Sequence, residues 1–237
     1  MASELPQPTA PAGSDAPDPA PAGHAPGHHG APPRPVDAPP PAPIAAPRSA
    51  EMLALLEARR SLPLRALVPP GPDPAALARM LAVAARVPDH GRLVPWRFIV
   101  IEGEARRAAG ARLDALYLAQ NPELAPDKRR MWHDYLLRAP VTVVVVSRPD
   151  PASRIPVFNQ VLSAGAAAMN LICAATALGF GAHWLLKWPG RDKAAAALLG
   201  VGDGEQVAGF IHIGSPAETP PDRPRPAPAD VVTRWQP

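Results

Sequence analysis

Cysteine is all but missing from this chain: Cys173 is the one thiol in 237 residues. No intrachain disulfide can staple the fold, and no multi-cysteine zinc site can form. A lone thiol suits a reducing compartment, so the cytoplasm is the expected home. The opening Met1-Ala2-Ser3-Glu4 lacks a basic n-region and an apolar h-region, and no secretory signal is expected. A dominant sign of charge is also lacking, since 24 Lys+Arg oppose 21 Asp+Glu for a net +3. The basic clusters at Arg59, Arg60 and Arg65, at Arg106 and Arg107, and at Lys128, Arg129 and Arg130 are short and broken by carboxylates. Nucleic-acid binding favours a concentrated basic face, so no such partner is expected. Long apolar runs are scarce. Val141–Val146 and Ala164–Ala177 fall short of the roughly 18–20 residues a bilayer span needs. No membrane association is expected.

Several catalytic signatures are absent too. There is no Walker-type Gly-Lys-Ser/Thr and no G-x-S-x-G. The Gly179-Phe180-Gly181 stretch follows a helical pattern rather than a strand, which excludes a dinucleotide fingerprint. Cys173 sits among Ile172, Ala174 and Ala175 with no neighbouring cation in sequence, and is read as a packing residue.

Proline is what the chain has in excess. Of 36 prolines, 15 fall in the first 50 residues and seven in the last 22. Such segments cannot bury enough apolar area to offset their ordering entropy. Residues 1–48 therefore read as a disordered Pro/Ala-rich leader, 49–216 as one domain, and 217–237 as a Pro-rich tail. His24, His28 and His29 in the leader lack partners at ligand spacing and read as solvated linker, while Pro39–Pro41 favours a stiff polyproline spacer.

Within the domain, Ser49 is a candidate cap for a helix ending near Arg59. Asp73 and Pro74 open a second, carrying Leu77, Met80, Leu81 and Ala84, which stops before Pro88. Phe98–Ile101 and the β-branched Val141–Val146 read as buried strands. Ala105–Gln120 and Asp127–Arg138 read as helices. Val157–Leu178 is the longest helix, apolar all round and so expected to be enclosed, with Gly179 at its C′ position. Ala182–Leu186 reads as strand or loop, Asp192–Leu199 as helix, and Gln206–Ile213 as the last strand. Strands interspersed with helices make the class α/β or α+β.

Cations, hydroxyls and aromatics gather at the ends of these elements: Arg59, Arg60 and Ser61; Arg86, Asp89 and His90, then Pro95 and Trp96; Trp184 and Trp188. Guanidinium forks match phosphate oxygens, and indoles suit a flat heterocycle. No metal ligand set or activated nucleophile is visible, which points to a cofactor performing the chemistry. Arginines at helix C-termini are also favoured by the helix dipole alone.

At these residues the chain resembles the nitroreductase family of FMN-dependent oxidoreductases, most nearly its small bacterial subgroup. The resemblance rests on Arg59-Arg60-Ser61, on Arg86-Val87-Pro88-Asp89-His90 with Pro95-Trp96-Arg97-Phe98, and on Gly179-Phe180-Gly181-Ala182-His183-Trp184. Leu199-Gly200-Val201, Val207-Ala208-Gly209-Phe210 and Ile213-Gly214-Ser215-Pro216 extend it to the end of the domain. It implies an α+β fold, a three-layer α/β/α sandwich around a mixed, mostly antiparallel sheet, assembled as a homodimer with one FMN per subunit at the interface.

By position, the resemblance assigns Arg59, Arg60 and Ser61 to FMN, with Arg86 and His90 contacting it from the partner's side. Trp184, Leu185 and Leu186 are assigned to the isoalloxazine, with backbone N–H groups near N5. Where the subgroup has Trp-Arg-Ser, this chain has Trp184-Leu185-Leu186, which removes polar side chains but keeps the backbone donors. Arg223 or Arg225 is the candidate for a basic residue that reaches the phosphate from beyond the last strand. The implied activity is NAD(P)H-dependent reduction of nitroaromatic or quinone-type acceptors by ping-pong hydride transfer. A flavin carrier without turnover, or another FMN reaction such as dehalogenation, stays open at this point.

Overall fold

The computed structural model describes residues 48–237. The leader, its histidines and Pro39–Pro41 lie outside the described residues, apart from the leader's last position. Helix α1 (Ala50–Ala58) starts where Ser49 Oγ accepts from the Met52 N–H at 3.1 Å. Helix α2 (Pro74–Ala84) starts where Asp73 accepts from the Ala76 N–H at 2.7 Å. Both caps satisfy donors that a helix cannot satisfy itself. Between them lies β1 (Leu67–Val68), too short to leave a pattern in sequence.

The next strand, β2 (Trp96–Glu102), is longer at both ends than the apolar run Phe98–Ile101. Helix α3 (Ala105–Gln120) has the expected bounds. The helix expected over Asp127–Arg138 is instead a 3-10 turn at Pro126–Lys128 followed by α4 (Met131–Leu137). The break has a cause outside the segment. Asp114 on α3 accepts from the Trp132 and His133 N–H groups at 2.8 and 3.2 Å, capping α4 from a neighbouring helix. Strand β3 (Val141–Ser147) is buried throughout. Helix α5 (Val157–Ala177) ends with Gly179 at φ +83°, in the left-handed region that favours glycine at this cap position. Strand β4 (Gly181–Leu185), helix α6 (Lys193–Leu198) and strand β5 (Gln206–Pro216) follow, and the tail carries a single turn, α7 (Pro228–Val231).

Among the described residues every strand pairing is antiparallel, with no parallel pair of the kind a mixed sheet would add, in the order β1-β5-β3-β2 with β4 also on β5. Because Phe210–Ile213 pairs with both β3 and β4, those two strands flank opposite edges of β5. Alternate residues then serve two cores. Val143, Val145, Ile211 and Ile213 pack with α2 and α5, while Val144, Val146 and Phe210 pack with α3, α4 and α6. The result is the three-layer α/β/α sandwich. A bulge shifts the β3–β5 register, since Val145 faces Gly209 but Val146 faces Val207, leaving Ala208 unpaired with β3.

Two expectations about α5 need correction. It is 21 residues long and apolar enough to cross a membrane by length and composition, although no run in the sequence was expected to reach that length. Its place is nonetheless in the sandwich, where Ala164, Ala167, Ala168, Leu171, Ala174 and Ala175 are buried. It is also not enclosed on all sides. Within one chain Phe158 is 71% exposed and Leu162 56%, while Leu171 and Ile172 join the alanines on the buried face.

Close approach of α3 and α4 depends on Gly110. A Cβ there would lie 2.4 Å from His133 Cα, so the backbone of α4 would have to move. Helix propensity favours Ala over Gly by about 1 kcal/mol. Overpacking against a backbone costs about 1–3 kcal/mol and prevails. Gly110→Ala is therefore expected to lower the urea midpoint of unfolding; an unchanged or raised midpoint would show that the helix pair is free to separate.

Candidate functional site

The segment after α1 is fastened along the start of β4. Leu62 N–H donates to Ala182 O at 3.2 Å, and Leu62 O accepts from His183 Nδ1 in a short hydrogen bond. This brings Arg59, Arg60 and Ser61 beside the Gly179–Leu186 stretch, uniting two sets of candidates that are more than a hundred residues apart in sequence. Between them opens a cavity of about 250 Å³, lined by Arg59, Arg60, Leu62, Thr176, Phe180 and Gly181 together with Pro216, Glu218, Thr219 and Pro220.

The two guanidinium groups there differ. Arg60, with a side chain only 19% exposed, donates Nη1 to Glu57 O at 2.6 Å and to Arg59 O at 3.0 Å. Its Nε meets Asp222 Oδ1 at 2.6 Å, and Arg225 Nη2 lies 3.9 Å from the same oxygen. Arg59 is half-buried and has no side-chain hydrogen-bond partner among the described residues. Asp222 is held below the usual carboxylate range by the Arg223 N–H first and by Arg60 and Arg225 besides. Of the two tail arginines, Arg225 is thus drawn toward Arg60 through Asp222, whereas Arg223 contributes its backbone N–H. Sequence reading missed Asp222 altogether, for a carboxylate in a proline-rich tail carries no pattern.

Arg86 and His90 are exposed and belong to a different place. His90 lines a second, much smaller cavity with Asp89, Pro95, Ile155, Asn159, Gln160 and Ser163. One chain does not bring these residues to the Arg59–Arg60 cavity. Trp184 and Trp188 also differ from expectation as flat surfaces for a heterocycle. Trp184 turns its indole into the sheet, where Nε1 donates to the bulged Ala208 carbonyl at 3.1 Å. The ring covers Gly209 so closely that a Cβ there would lie 1.9 Å from Nε1. Trp188 packs in an aromatic cluster, its ring centroid 4.6 Å from Tyr117 and 5.1 Å from Trp132. Trp184 and Leu185 are half-buried, and Leu186 is exposed beyond the last pairing of β4.

Cys173 does have a cation nearby, contrary to the reading from its sequence neighbours. Burial pushes its thiol up while Arg59 acts in the opposite direction, and burial prevails. Among the described residues no cluster of His, Cys, Asp and Glu is arranged to hold a metal ion.

A family model described as the nitroreductase family matches residues 56–215. The Escherichia coli (strain K12) protein named "Putative NAD(P)H nitroreductase YdjA" is 33% identical over 182 residues, covering 75% of this chain and 97% of that protein. Among solved structures, a nitroreductase-like family protein from Bacillus cereus aligns at TM-score 0.68 with 20% identity, covering 81% of this chain and 99% of the other. A nitroreductase with bound FMN from Bacteroides fragilis aligns at 0.58 with 21% identity, covering 79% and 100%.

Behind β4 lies a buried polar row. His183 and His212 are cross-strand partners, and His212 pairs in turn with Thr142, to which its Nδ1 hydrogen-bonds at 2.9 Å. Its Nε2 has no partner among the described residues, and the Tyr135 ring stands edge-on at 4.7 Å. Burial first, then the proximity of His183, depresses the His212 pKa to about 3. Between about pH 3 and 6.5 the unfolded chain binds a proton that the folded chain refuses, so stability is complete above the unfolded value and falls as pH drops. The slope is about 1.4 kcal/mol per pH unit. Urea unfolding from pH 6.5 to 5, above the range where most carboxylates titrate, is expected to show it. His212→Phe is expected to flatten the slope, and an unchanged slope would assign it to other groups.

Proposed function

The chain belongs to the nitroreductase family, and on that premise we propose that it is an FMN-dependent NAD(P)H oxidoreductase acting on nitroaromatic or quinone-type acceptors in two alternating half-reactions. The observation that carries this reading is the fastening of Arg59–Leu62 to β4, beside a cavity with guanidinium donors on one side and the Gly179–Gly181 segment at the start of β4 on the other. That donor set fits a mononucleotide: cations for a phosphate, and neutral N–H groups with apolar side chains for a ring system. FMN, when bound, supplies the redox chemistry by taking hydride from NAD(P)H and passing electrons to the acceptor.

The remaining roles belong to the chain. Arg59 offers a guanidinium with no competing side-chain bond among the described residues, and Ser61 is exposed. Arg60 adds charge from a position fixed by Glu57 O and Arg59 O. Backbone at Trp184, Leu185 and Leu186 borders the ring, with Leu185 and Leu186 excluding water. Arg86 and His90 act at the partner's site, where the two ring nitrogens of His90 can accept and donate a proton. This division of labour requires a homodimer. In its favour, α1 exposes Met52, Leu53 and Leu56, and α5 exposes Val157, Phe158, Val161 and Leu162. Soluble proteins seldom leave such patches uncovered.

Purified protein is expected to be yellow, near one flavin per chain. Replacing Arg59 and Ser61 together with Ala is expected to weaken FMN binding about tenfold to a hundredfold per lost charge-assisted bond. Flavin titration checks this, and undiminished affinity would place the phosphate elsewhere. Anaerobic addition of NADPH or NADH is expected to bleach the flavin absorbance. Bound flavin that neither nucleotide bleaches would favour a carrier.

A further inference from the structure

The chain between α2 and β2 has almost no regular structure, yet it is fastened on both sides of His90. Before His90, helix α5 holds it: Asn170 Nδ2 donates to Arg86 O at 2.9 Å, and Ser163 Oγ to Pro88 O at 2.5 Å. After His90 the backbone runs through three residues in left-handed geometry: Gly91 at φ +75°, Arg92 at +55° and Val94 at +49°. Glycine adopts this readily. An exposed β-branched valine does not, and holding it there takes a force from elsewhere in the structure.

That force comes chiefly from Asp89. Its Oδ1 accepts from the Leu93 N–H and its Oδ2 from the Val94 N–H, both at 3.0 Å, so one half-buried carboxylate spans the turn. Arg92 N–H donates to Asp89 O at 3.2 Å, and from the far side Arg148 Nε donates to Val94 O at 3.0 Å. A strained, multiply anchored turn on an exposed loop contributes little core area, so packing does not explain it. What the clamp does fix is the direction of the residue enclosed by it, His90.

We propose that Asp89 is a positioning residue for the flavin site, its carboxylate clamping the Gly91–Val94 turn so that His90 is presented in a fixed direction toward the partner's cofactor. The inference rests on the FMN reading above and adds to it a residue that does not touch the cofactor. Asp89→Asn keeps the shape but turns an N–H against one of the two backbone donors. FMN affinity of the folded apoprotein, followed by flavin fluorescence quenching, is expected to fall roughly tenfold, in line with a lost charged hydrogen bond. Adding Val94→Gly, which adopts the turn without help, is expected to restore affinity to within about threefold. In an His90→Ala background, Asp89→Asn is expected to have no further effect.

A lowered melting temperature with unchanged FMN affinity would make Asp89 merely structural and overturn the proposal. Full additivity of Asp89→Asn with His90→Ala would do the same, because it would separate the two residues. If Asp89→Asn does not fold, the exposed Arg148→Met removes the bond to Val94 O and carries the same expectation at smaller size. Wild-type protein that binds no FMN would instead defeat the underlying functional reading, and that result is distinct from every outcome among the variants.

Discussion

The candidate site depends on two hydrogen bonds made by one residue. Leu62 donates to Ala182 O and accepts from His183, and in doing so it fixes the end of α1 to the start of β4. Leu62 is 8% exposed and Ala182 only 2%, so water has little access to the bond between them. Losing the two bonds would leave buried polar groups unpaired, at about 1–3 kcal/mol each. The guanidinium groups of Arg59 and Arg60 are placed by this fastening together with the last turn of α1, where Arg59 N–H donates to Leu55 O and Arg60 Nη1 to Glu57 O; the helix itself buries no residue. Helix α1 is therefore a carrier of charge that is positioned partly from outside.

The sheet supplies what such a fastening needs, a rigid reference. Strand β3 is buried on both faces, and β5 is paired along both edges by β3 and β4. Trp184 shows how the sheet disposes of side chains near the site. The bulge at Ala208 leaves a carbonyl free, the indole Nε1 takes it, and Gly209 makes room for the ring. The aromatic side chain is thus consumed in holding β4 to β5, and Leu186, the residue just past the strand, is left exposed.

Much of this was legible in local sequence, and the rest was not for a single physical reason. Ser49 and Asp73 cap helices through bonds to residues three positions on, so a short window contains both partners. Val141–Val146 announces a buried strand by composition. Asp114 caps α4 from eighteen positions away, and β1 exists only because the end of β5 pairs with it. Neither leaves a trace near itself. The candidate residues were found by type and by family resemblance. Their grouping into an Arg59–Arg60 cavity and a separate His90 cavity required the fold. The tail pair Asp222–Arg60 had no precursor in the sequence reading, because proline-rich composition argues for disorder and is silent about a single ion pair.

That pair also sets the relative weight of the two arginines. Arg60 is bound by two backbone carbonyls and by Asp222, so an incoming phosphate meets a guanidinium whose charge is already partly compensated. Asp222 is exposed, and an exposed ion pair is worth little against a dianion in water. The carbonyl bonds are different, since they orient the fork and hold one face of it away from any ligand. Among the described residues Arg59 meets neither restraint, so its donors have no side-chain hydrogen-bond competitor there. Under the proposed function, Arg59 therefore supplies the stronger hydrogen bonds to the phosphate. Arg60 supplies field and links the tail to the site, bringing Arg225 near the same anion through their shared carboxylate. A tail that is composed like a linker thereby becomes one wall of the cavity.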